Sequence, residues 1–314
     1  MAKIVITEFM DAAAMQSLRE QHDVHFDETL VDHPETLATA VTDAAALIVR
    51  NRTQVTAALV AQASQLKAVG RLGVGLDNID LQACKERGIA VLPAIGANAA
   101  SVAEYVLCTA MMLLRGPVYF GTGQLQQGHW PRARMSKGHE VEGKILGLIG
   151  FGSIGQTTAR LARAVGFETI AHDAFLPTGH EAWTTTRQCP SIDVLLEQAD
   201  VISLHCPLTP QTEGLISAAQ LAAMKPGSIL INTARGGIVD ESALAEALLS
   251  GHLGGAAIDV FASEPIDEAT AAVFANVPNL ILTPHVAGVT KQSNERISAV
   301  TAENVLRALQ ESRT

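Results

Sequence analysis

Short, almost wholly apolar runs alternate along this chain with longer stretches in which apolar residues return every three or four positions. In the first third the runs fall at residues 3–7, 46–49, 66–69 and 89–92, and the helical spacing at 12–21, 53–64 and 80–87. Runs of this length suit strands covered on both faces, and the longer spacing suits helices packed by one side. Strand and helix in alternation predict a parallel sheet with helices on its faces, an α/β domain.

The pattern changes at residue 98. Ser101 and Glu104 form a capping box ahead of an apolar stretch, 105–114, too short to cross a bilayer, and the expectation is a well-buried helix at a subunit interface. A polar connection, 117–142, holds Trp130, Pro131, Arg132 and Arg134, and connections of this length are often functional. The alternation then resumes, with apolar runs at 145–149, just ahead of Asp173, and at 200–205, 228–233, 256–260 and 280–282. Helical spacing lies at 191–198, 217–224 and 241–250. These six strands are the complement of a doubly wound domain. The last helical pattern, 291–312, has no strand left to follow and is expected to cross back to the first domain. The predicted domains are residues 1–97, completed by 286–314, and 98–285.

The run at 145–149 opens into Gly150-Phe151-Gly152-Ser153-Ile154-Gly155, then a helix, then a second run ending on Asp173. Each part has a physical reason. Gly150 permits the tight turn out of the strand, Gly152 lets a pyrophosphate approach the backbone, and Gly155 allows the helix to pack closely. The helix start at Ser153 and Ile154 offers N–H groups and a positive dipole end to the phosphates. Asp173 lies 18 positions after Gly155, near the spacing at which an acid hydrogen-bonds the ribose hydroxyls of NAD. An anion there repels the extra phosphate of NADP, and residues 174–182 hold no Arg or Lys to receive it, so NAD is the expected cofactor. An ordinary glycine turn and a SAM-binding variant of the same architecture are the alternatives.

Bulk properties narrow the classes. A chain of 314 residues, 48% of them hydrophobic, has material for about two cores. A net charge of −10 speaks against nucleic acid or an anionic membrane as partner, and 4% aromatics leave no platform for stacking bases. Cys84, Cys108, Cys189 and Cys206 show neither CxxC pairing nor metal-ligand spacing, so no metal is expected. No signal peptide or spanning run is visible, and the expected compartment is the reducing cytoplasm.

Candidate chemistry clusters at predicted strand ends, where open α/β sheets place their ligands. Within 71–80, Gly73 and Gly75 follow a strand and can leave backbone N–H groups of Val74 and Gly75 facing a carboxylate. The plainer reading of this stretch is a glycine turn with Asp80 capping the next helix. Arg50 and Arg52 follow the run at 46–49 and either grip a second anionic group on the substrate or are simply solvated. In the second domain Arg235, Glu264 and His285 stand after three successive runs. Hydride transfer from an alcohol needs a base for the hydroxyl proton, which histidine supplies; a carboxylate beside it stabilises the imidazolium, and an arginine grips the substrate carboxylate and polarises the carbonyl oxygen. Asp259, at the end of an apolar run, is a candidate acceptor for the nicotinamide carboxamide. His25, His33, His139 and His252 lie in polar segments and are expected to be solvated.

These motifs together resemble the D-isomer-specific 2-hydroxyacid dehydrogenases. The likeness runs over nearly the whole chain, through Gly73-Val74-Gly75 with Asp77 to Asp80, Asn98 with Ser101 and Glu104, Gly150 to Gly155, His205-Cys206-Pro207-Leu208-Thr209, Met224-Lys225-Pro226-Gly227, Thr233-Ala234-Arg235-Gly236, Ala257 to Phe261 with Glu264-Pro265, and Thr283-Pro284-His285. The resemblance implies a catalytic trio of Arg235, Glu264 and His285, with His285 the acid/base. It implies carboxylate binding by the backbone of Val74 and Gly75, and cofactor contacts from Ser153, Ile154, Asp173, Pro207, Thr212, Thr233, Ala234, Asp259 and Gly288. It also implies a homodimer joined through the nucleotide domain.

Within the family the chain is most similar to the phosphoglycerate and sulfolactate dehydrogenase branch. There Arg50 and Arg52 match positions that meet the substrate phosphate, and Trp130 and Arg132 match residues contributed by the neighbouring subunit. The sequence runs to Thr314 without a counterpart of the serine-sensing domain of many phosphoglycerate dehydrogenases, and a sulfonate would suit the same arginines.

Pattern and resemblance give one expectation: an α/β protein of two Rossmann-like parallel-sheet domains, one flavodoxin-like and one doubly wound and NAD-binding, with a cleft between them that closes on hinges near 97–99 and 285–289. Its activity would be NAD-dependent interconversion of a small D-2-hydroxy acid and its 2-oxo acid, the acid carrying a second anionic group of the 3-phosphoglycerate or 3-sulfolactate type. The alternatives are a glyoxylate or hydroxypyruvate reductase and, from a different class, an NAD-sensing corepressor-like binding protein.

Overall fold

The structure is a computed structural model and describes residues 1–311, apart from the side chain of Phe120; position 312 of the predicted last helix lies outside the described residues. The chain divides into two compact units, Met1–Asn98 with the segment from Val289 onward, and Ala99–Gly288.

The first unit is built on five parallel strands, β1 (Lys3–Ile6), β2 (Asp23–Phe26), β3 (Ala46–Val49), β4 (Ala68–Arg71) and β5 (Ala90–Pro93), in the order β2-β1-β3-β4-β5. This is the flavodoxin-like order. The apolar pattern predicts four of these strands and misses β2. That strand pairs only with β1 and alternates exposed Asp23 and His25 with half-buried Val24 and Phe26, so it carries no apolar run. The helix expected over 53–64 is shorter, Ala57–Gln62, because Thr56 caps it through a bond from Leu59 N and Thr53 belongs to a loop described below. The long helix Lys291–Glu311 packs on this sheet, burying Ile297, Ala302, Val305 and Leu309. It comes so near β4 that a Cβ on Gly70 would stand 2.7 Å from Val305 Cγ2.

The second unit holds seven parallel strands: β6 (Ile145–Ile149), β7 (Glu168–His172), β8 (Arg187–Gln188), β9 (Val201–Leu204), β10 (Ile229–Asn232), β11 (Gly255–Ile258) and β12 (Leu280–Leu282). Their order is β12-β11-β10-β9-β6-β7-β8, so the strands wind outward in both directions from β6 and β9. The glycine turn leaves β6 at this switch point, where doubly wound sheets bind ligands. Six strands are expected from the pattern; the seventh, β8, has two residues and is too short to leave a period.

The helix expected to start at a capping box on Ser101 begins earlier, at Ala99, and Ser101 is buried inside it. Buried Ala99, Val102, Ala103 and Val106 extend its packed face through that position, so core contact rather than local capping sets the start. This helix, Ala99–Leu114, packs on helix Ser153–Ala164 and beneath β10 and β11. The connection after it contains the short helices Gly116–Phe120, Thr122–Gln126 and Arg132–Met135.

Candidate active site

Three glycines shape the turn after β6, each in a different surrounding. Gly150 has φ +92°, and a Cβ there would stand 2.7 Å from the carbonyl carbon of His205, so the position admits glycine. A Cβ on Gly155 would lie 2.4 Å from the carbonyl oxygen of Gly150. Gly152, the N-cap of helix Ser153–Ala164, has nothing within 4 Å of its Cβ position. An open N-cap without a side chain, followed by half-buried Ile154 and exposed Ser153, lets a pyrophosphate reach the N–H groups and positive end of a twelve-residue helix.

Asp173 follows β7 and accepts N–H bonds from Phe151 (2.7 Å), Phe175 (2.8 Å) and Leu176 (2.9 Å). Burial works to raise its pKa, but the three N–H groups outweigh burial and hold it below the ordinary value. The group is therefore an anion at neutral pH, tied to the glycine turn and hostile to a second phosphate. At the end of β10, Thr233 Oγ1 is buried without a partner among the described residues, while the N–H of Ala234 is taken by Asn232 Oδ1 (3.0 Å). A buried hydroxyl of this kind awaits a polar group. Open Gly152, anionic Asp173 and the orphaned Thr233 hydroxyl fit a dinucleotide. Pro207 and Thr212 make a self-contained turn, in which Thr212 Oγ1 donates to Pro207 O (2.6 Å) and accepts from Thr209 N (2.8 Å).

His205 leads into that turn and was not a candidate from pattern alone. Part of the residue reaches solvent, yet its Nδ1 is enclosed without a partner among the described residues and its Nε2 meets Ser203 Oγ at 3.0 Å. Burial pulls its pKa down to about 4 and pushes that of the neighbouring Cys206 thiol up to about 11. His252, expected to be solvated, is half-buried, with Nε2 at Leu221 O (3.0 Å).

Arg235, Glu264 and His285 leave the carboxyl ends of β10, β11 and β12, which are neighbours in the sheet. His285 Nδ1 is 2.7 Å from Glu264 Oε2, and Glu264 Oε1 accepts the Phe261 N–H at 3.0 Å. The carboxylate is thus held at both oxygens and fixes the ring. The pair remains reachable, with side chains 47% and 36% exposed. Arg235 is half-buried, donates from Nη1 to Ala234 O (2.7 Å), and has its own carbonyl capped by Asn232 Nδ2 (2.9 Å). Beside it, a Cβ on Gly236 would collide with Phe261 O at 1.8 Å, so the loops after β10 and β11 run in backbone contact.

His285 sits at φ +56°, a left-handed conformation that a non-glycine residue keeps only when its surroundings enforce it. Asp259 is what enforces it. Its carbonyl accepts the His285 N–H (2.8 Å), Oδ1 accepts Thr283 Oγ1 (2.6 Å) and Val286 N (2.9 Å), and Oδ2 accepts Ala287 N (2.9 Å). Tyr105, from helix Ala99–Leu114, adds a 2.7 Å bond to Thr283 Oγ1. Asp259 is 1% exposed. Its carboxylate, which the resemblance makes a cofactor contact, also straps the histidine turn, and Gly288 lies half-buried just beyond it.

In the first unit, Gly73 has φ +149° and a Cβ there would overlap Arg71 Nη1 at 2.2 Å. Val74 and Gly75 follow, half-buried, and Asp80 caps helix Leu81–Glu86 through Ala83 N (2.9 Å). Arg50 and Arg52 part company. Arg50 is half-buried and donates from Nη2 to Asn294 Oδ1 (3.1 Å); burial lowers its pKa and the Glu8 charge opposes that. Arg52 pairs at the surface with Asp32 (2.5 Å), both side chains 60% exposed. Back in the second unit, Trp130 is 79% exposed and Arg132 exposed on its short helix. Glu8 and Asn78, which hold the arginine loop by its backbone, were missed; an acid directly after an apolar run was the signal.

The sequence model of the family described as "D-isomer specific 2-hydroxyacid dehydrogenase, NAD binding domain" matches residues 107–287. An (S)-sulfolactate dehydrogenase of Chromohalobacter salexigens is 52% identical over 98% of this chain and 99% of its own length. A D-3-phosphoglycerate dehydrogenase of Methanocaldococcus jannaschii is 37% identical over 98% of this chain, which spans 58% of that protein. Among solved structures, a D-lactate dehydrogenase from Aquifex aeolicus complexed with NAD and lactic acid superposes with a TM-score of 0.84 at 27% identity, covering 99% of this chain and 96% of that one.

Proposed function

Because this chain belongs to the D-isomer specific 2-hydroxyacid dehydrogenase family and is an NAD-dependent oxidoreductase of small D-2-hydroxy acids, we propose that its substrate carries a second anionic group, a sulfonate of the 3-sulfolactate type, and that His285, Glu264 and Arg235 carry the reaction. The observation that bears most weight is the His285–Glu264 pair at 2.7 Å, held by the Asp259 strap at the end of β12.

With Nδ1 committed to Glu264, Nε2 is the nitrogen that exchanges a proton with the substrate oxygen. Bound NAD supplies the acceptor for the hydride that leaves C2. In oxidation His285 takes the hydroxyl proton as that C–H bond breaks, and Glu264 stabilises the positive charge on the ring; in reduction the proton returns to the oxygen. Arg235 polarises the oxygen and holds the carboxylate. In the first unit the backbone N–H groups of Val74 and Gly75 are the proposed donors to a carboxylate. Ser153, Ile154, Asp173, Pro207, Thr212, Thr233, Ala234 and Gly288 are the proposed cofactor contacts, with Gly152 leaving room for the pyrophosphate.

Charge supports the sulfonate. The Glu8 charge acts on the Arg50 guanidinium without a direct bond to it, and Asp32 pairs with Arg52, so the positive charge of this loop is partly offset. A sulfonate brings one charge, whereas a phosphate brings about −1.5 to −2. The stereochemistry agrees as well: on sulfolactate the sulfur-bearing carbon outranks the carboxyl carbon, so the S descriptor denotes the D arrangement. A panel following nicotinamide absorbance with both sulfolactate enantiomers, D-3-phosphoglycerate, D-glycerate and D-lactate tests this. (S)-sulfolactate should give the highest kcat/KM and Arg50→Ala should lower it on the order of 100-fold through KM, as loss of a charge-assisted contact does. Equal use of D-glycerate or D-lactate would overturn it.

The proposed assembly is a homodimer through the second unit, because Tyr119, Leu125 and Trp130 leave large apolar surface on one connection, 56%, 49% and 79% exposed. Light scattering should give two copies for the parent and one for Trp130→Glu; an unchanged mass would remove Trp130 from the interface. The free thiols Cys84, Cys108, Cys189 and Cys206 suit the reducing cytoplasm.

A further inference from the structure

The four-residue loop after β3 has its backbone clamped between two buried side chains that belong to other loops. Glu8, 7% exposed at the end of β1, accepts the N–H of Arg50 (2.8 Å) and of Thr53 (3.1 Å) on Oε1, and the N–H of Arg52 (3.1 Å) on Oε2. From the opposite side Asn78, 8% exposed, donates Nδ2 to the carbonyls of Arg50 (3.1 Å) and Thr53 (2.6 Å). Thr7 and Thr53 close the seat with a buried hydroxyl pair at 2.7 Å. Backbone groups at the carboxyl end of a strand ordinarily face water or ligand. Here three N–H and two C=O groups are satisfied from within, and a buried carboxylate is itself stable only with such donors around it.

The clamp also reaches the glycine loop. Asn78 is part of the stretch that begins at Gly73, and its carbonyl accepts the N–H of Val55 at 2.8 Å. One side chain therefore links the backbone proposed to bind the substrate carboxylate to the loop that carries Arg50. Among the described residues both oxygens of Glu8 bond loop N–H groups rather than a side-chain cation.

We infer that Glu8 is a positioning residue for substrate selectivity, whose carboxylate fixes the main chain from which Arg50 grips the second anionic group of the substrate. This rests on the reading of Arg50 as that group's contact. Glutamine at position 8 keeps the size but sets an NH2 group against at least one loop N–H, donor facing donor. Aspartate keeps the charge and both acceptors on a shorter stem.

The test measures kcat and KM for (S)-sulfolactate and for D-glycerate, with thermal midpoints, in the parent, Glu8→Gln, Glu8→Asp and Arg50→Ala. Glu8→Gln should raise the KM for (S)-sulfolactate about ten-fold, the weight of one charge-assisted hydrogen bond, with kcat within about three-fold. The KM for D-glycerate should hold within about two-fold, and Glu8→Asp should recover at least half of the lost discrimination on a logarithmic scale. Equal losses on both substrates, or a fallen midpoint with both, would make Glu8 a scaffold residue and overturn the inference. So would an unchanged KM for (S)-sulfolactate in Glu8→Gln while Arg50→Ala raises it. If Arg50→Ala is silent too, the reading of Arg50 falls and takes this inference with it. Should Glu8→Gln not fold, Glu8→Asp carries the same test, with a KM rise confined to (S)-sulfolactate expected.

Discussion

The strand-end sites of the two units are built in opposite ways. In the second unit two carboxylates, buried Asp259 and exposed Glu264, hold one side chain: Asp259 straps the turn that carries His285, and Glu264 bonds Nδ1 of its ring and leaves Nε2 free of that bond. In the first unit a carboxylate ties down backbone: Glu8 takes the N–H groups of Arg50, Arg52 and Thr53 in the loop after β3. The contrast teaches that the same bonds, from a buried carboxylate to main-chain N–H groups, can orient a titratable side chain or close off a strand-end loop, depending on what that loop carries. It also separates the expected phenotypes. Damage in the second unit should appear in kcat, and damage in the first should appear in KM.

The largest effect should come from His285→Ala, which removes the group proposed to move the proton. A loss of kcat/KM on the order of 10³ to 10⁴-fold is expected, and turnover within a few-fold of the parent would deny His285 its role. Glu264→Gln comes next, on the order of 100-fold, because the amide still bonds Nδ1 but no longer offsets the ring's charge. Both losses should lie mainly in kcat. A pure KM effect in either variant would erase the distinction between the two units.

How much of this was legible in the sequence follows from what kind of constraint each part obeys. The glycine turn was legible because backbone geometry demands particular residues: Gly150 at φ +92°, and Gly155 against a carbonyl at 2.4 Å. The long buried strands were legible because both faces are covered. β2 was hidden because an edge strand beside solvent needs no apolar run, and β8 because it spans two residues. Ser101 and Glu104 imitate a helix start that core packing moves to Ala99. The hold of Asp259 on residues 283–287 and that of Glu8 on 50–53 were illegible for a further reason. Apart from the Thr283 hydroxyl, they join residues 27 to 45 positions apart through main-chain donors, which nearly any residue type supplies, so one end of each such bond leaves no mark in the sequence.

A pH experiment sharpens the comparison by probing His205, whose backbone lies against the Gly150 turn. His205 has an ordinary value of 6.5 that burial lowers to about 4, so between those values the unfolded chain binds a proton that the folded chain does not. Stability is therefore full above pH 6.5 and falls as pH drops toward 4. Asp173, whose pKa is also lowered, loses its contribution only below its ordinary 3.8. Chemical denaturation across this range should show the upper loss, of order 1 to 3 kcal/mol given that part of the residue reaches solvent. The loss should vanish in His205→Asn, whereas a slope that survives there would point to another group.

The smallest expected effect sets the two arginines against each other. Arg52 is paired with Asp32 where both side chains are 60% exposed, and exposed pairs of this kind contribute about 0.2–1 kcal/mol at most. Its backbone N–H, not its guanidinium, is what the Glu8 clamp uses. Arg52→Ala keeps that N–H, so its midpoint should move little and its KM for (S)-sulfolactate by less than about three-fold. Arg50→Ala, on the same loop and seated on the same carboxylate, should show the large rise in KM. Equal effects would mean that the loop presents both guanidinium groups to the anion and that the Asp32 pair opens when substrate binds; in that case the ionic strength dependence of KM should steepen by a second charge in the parent and lose it in Arg52→Ala.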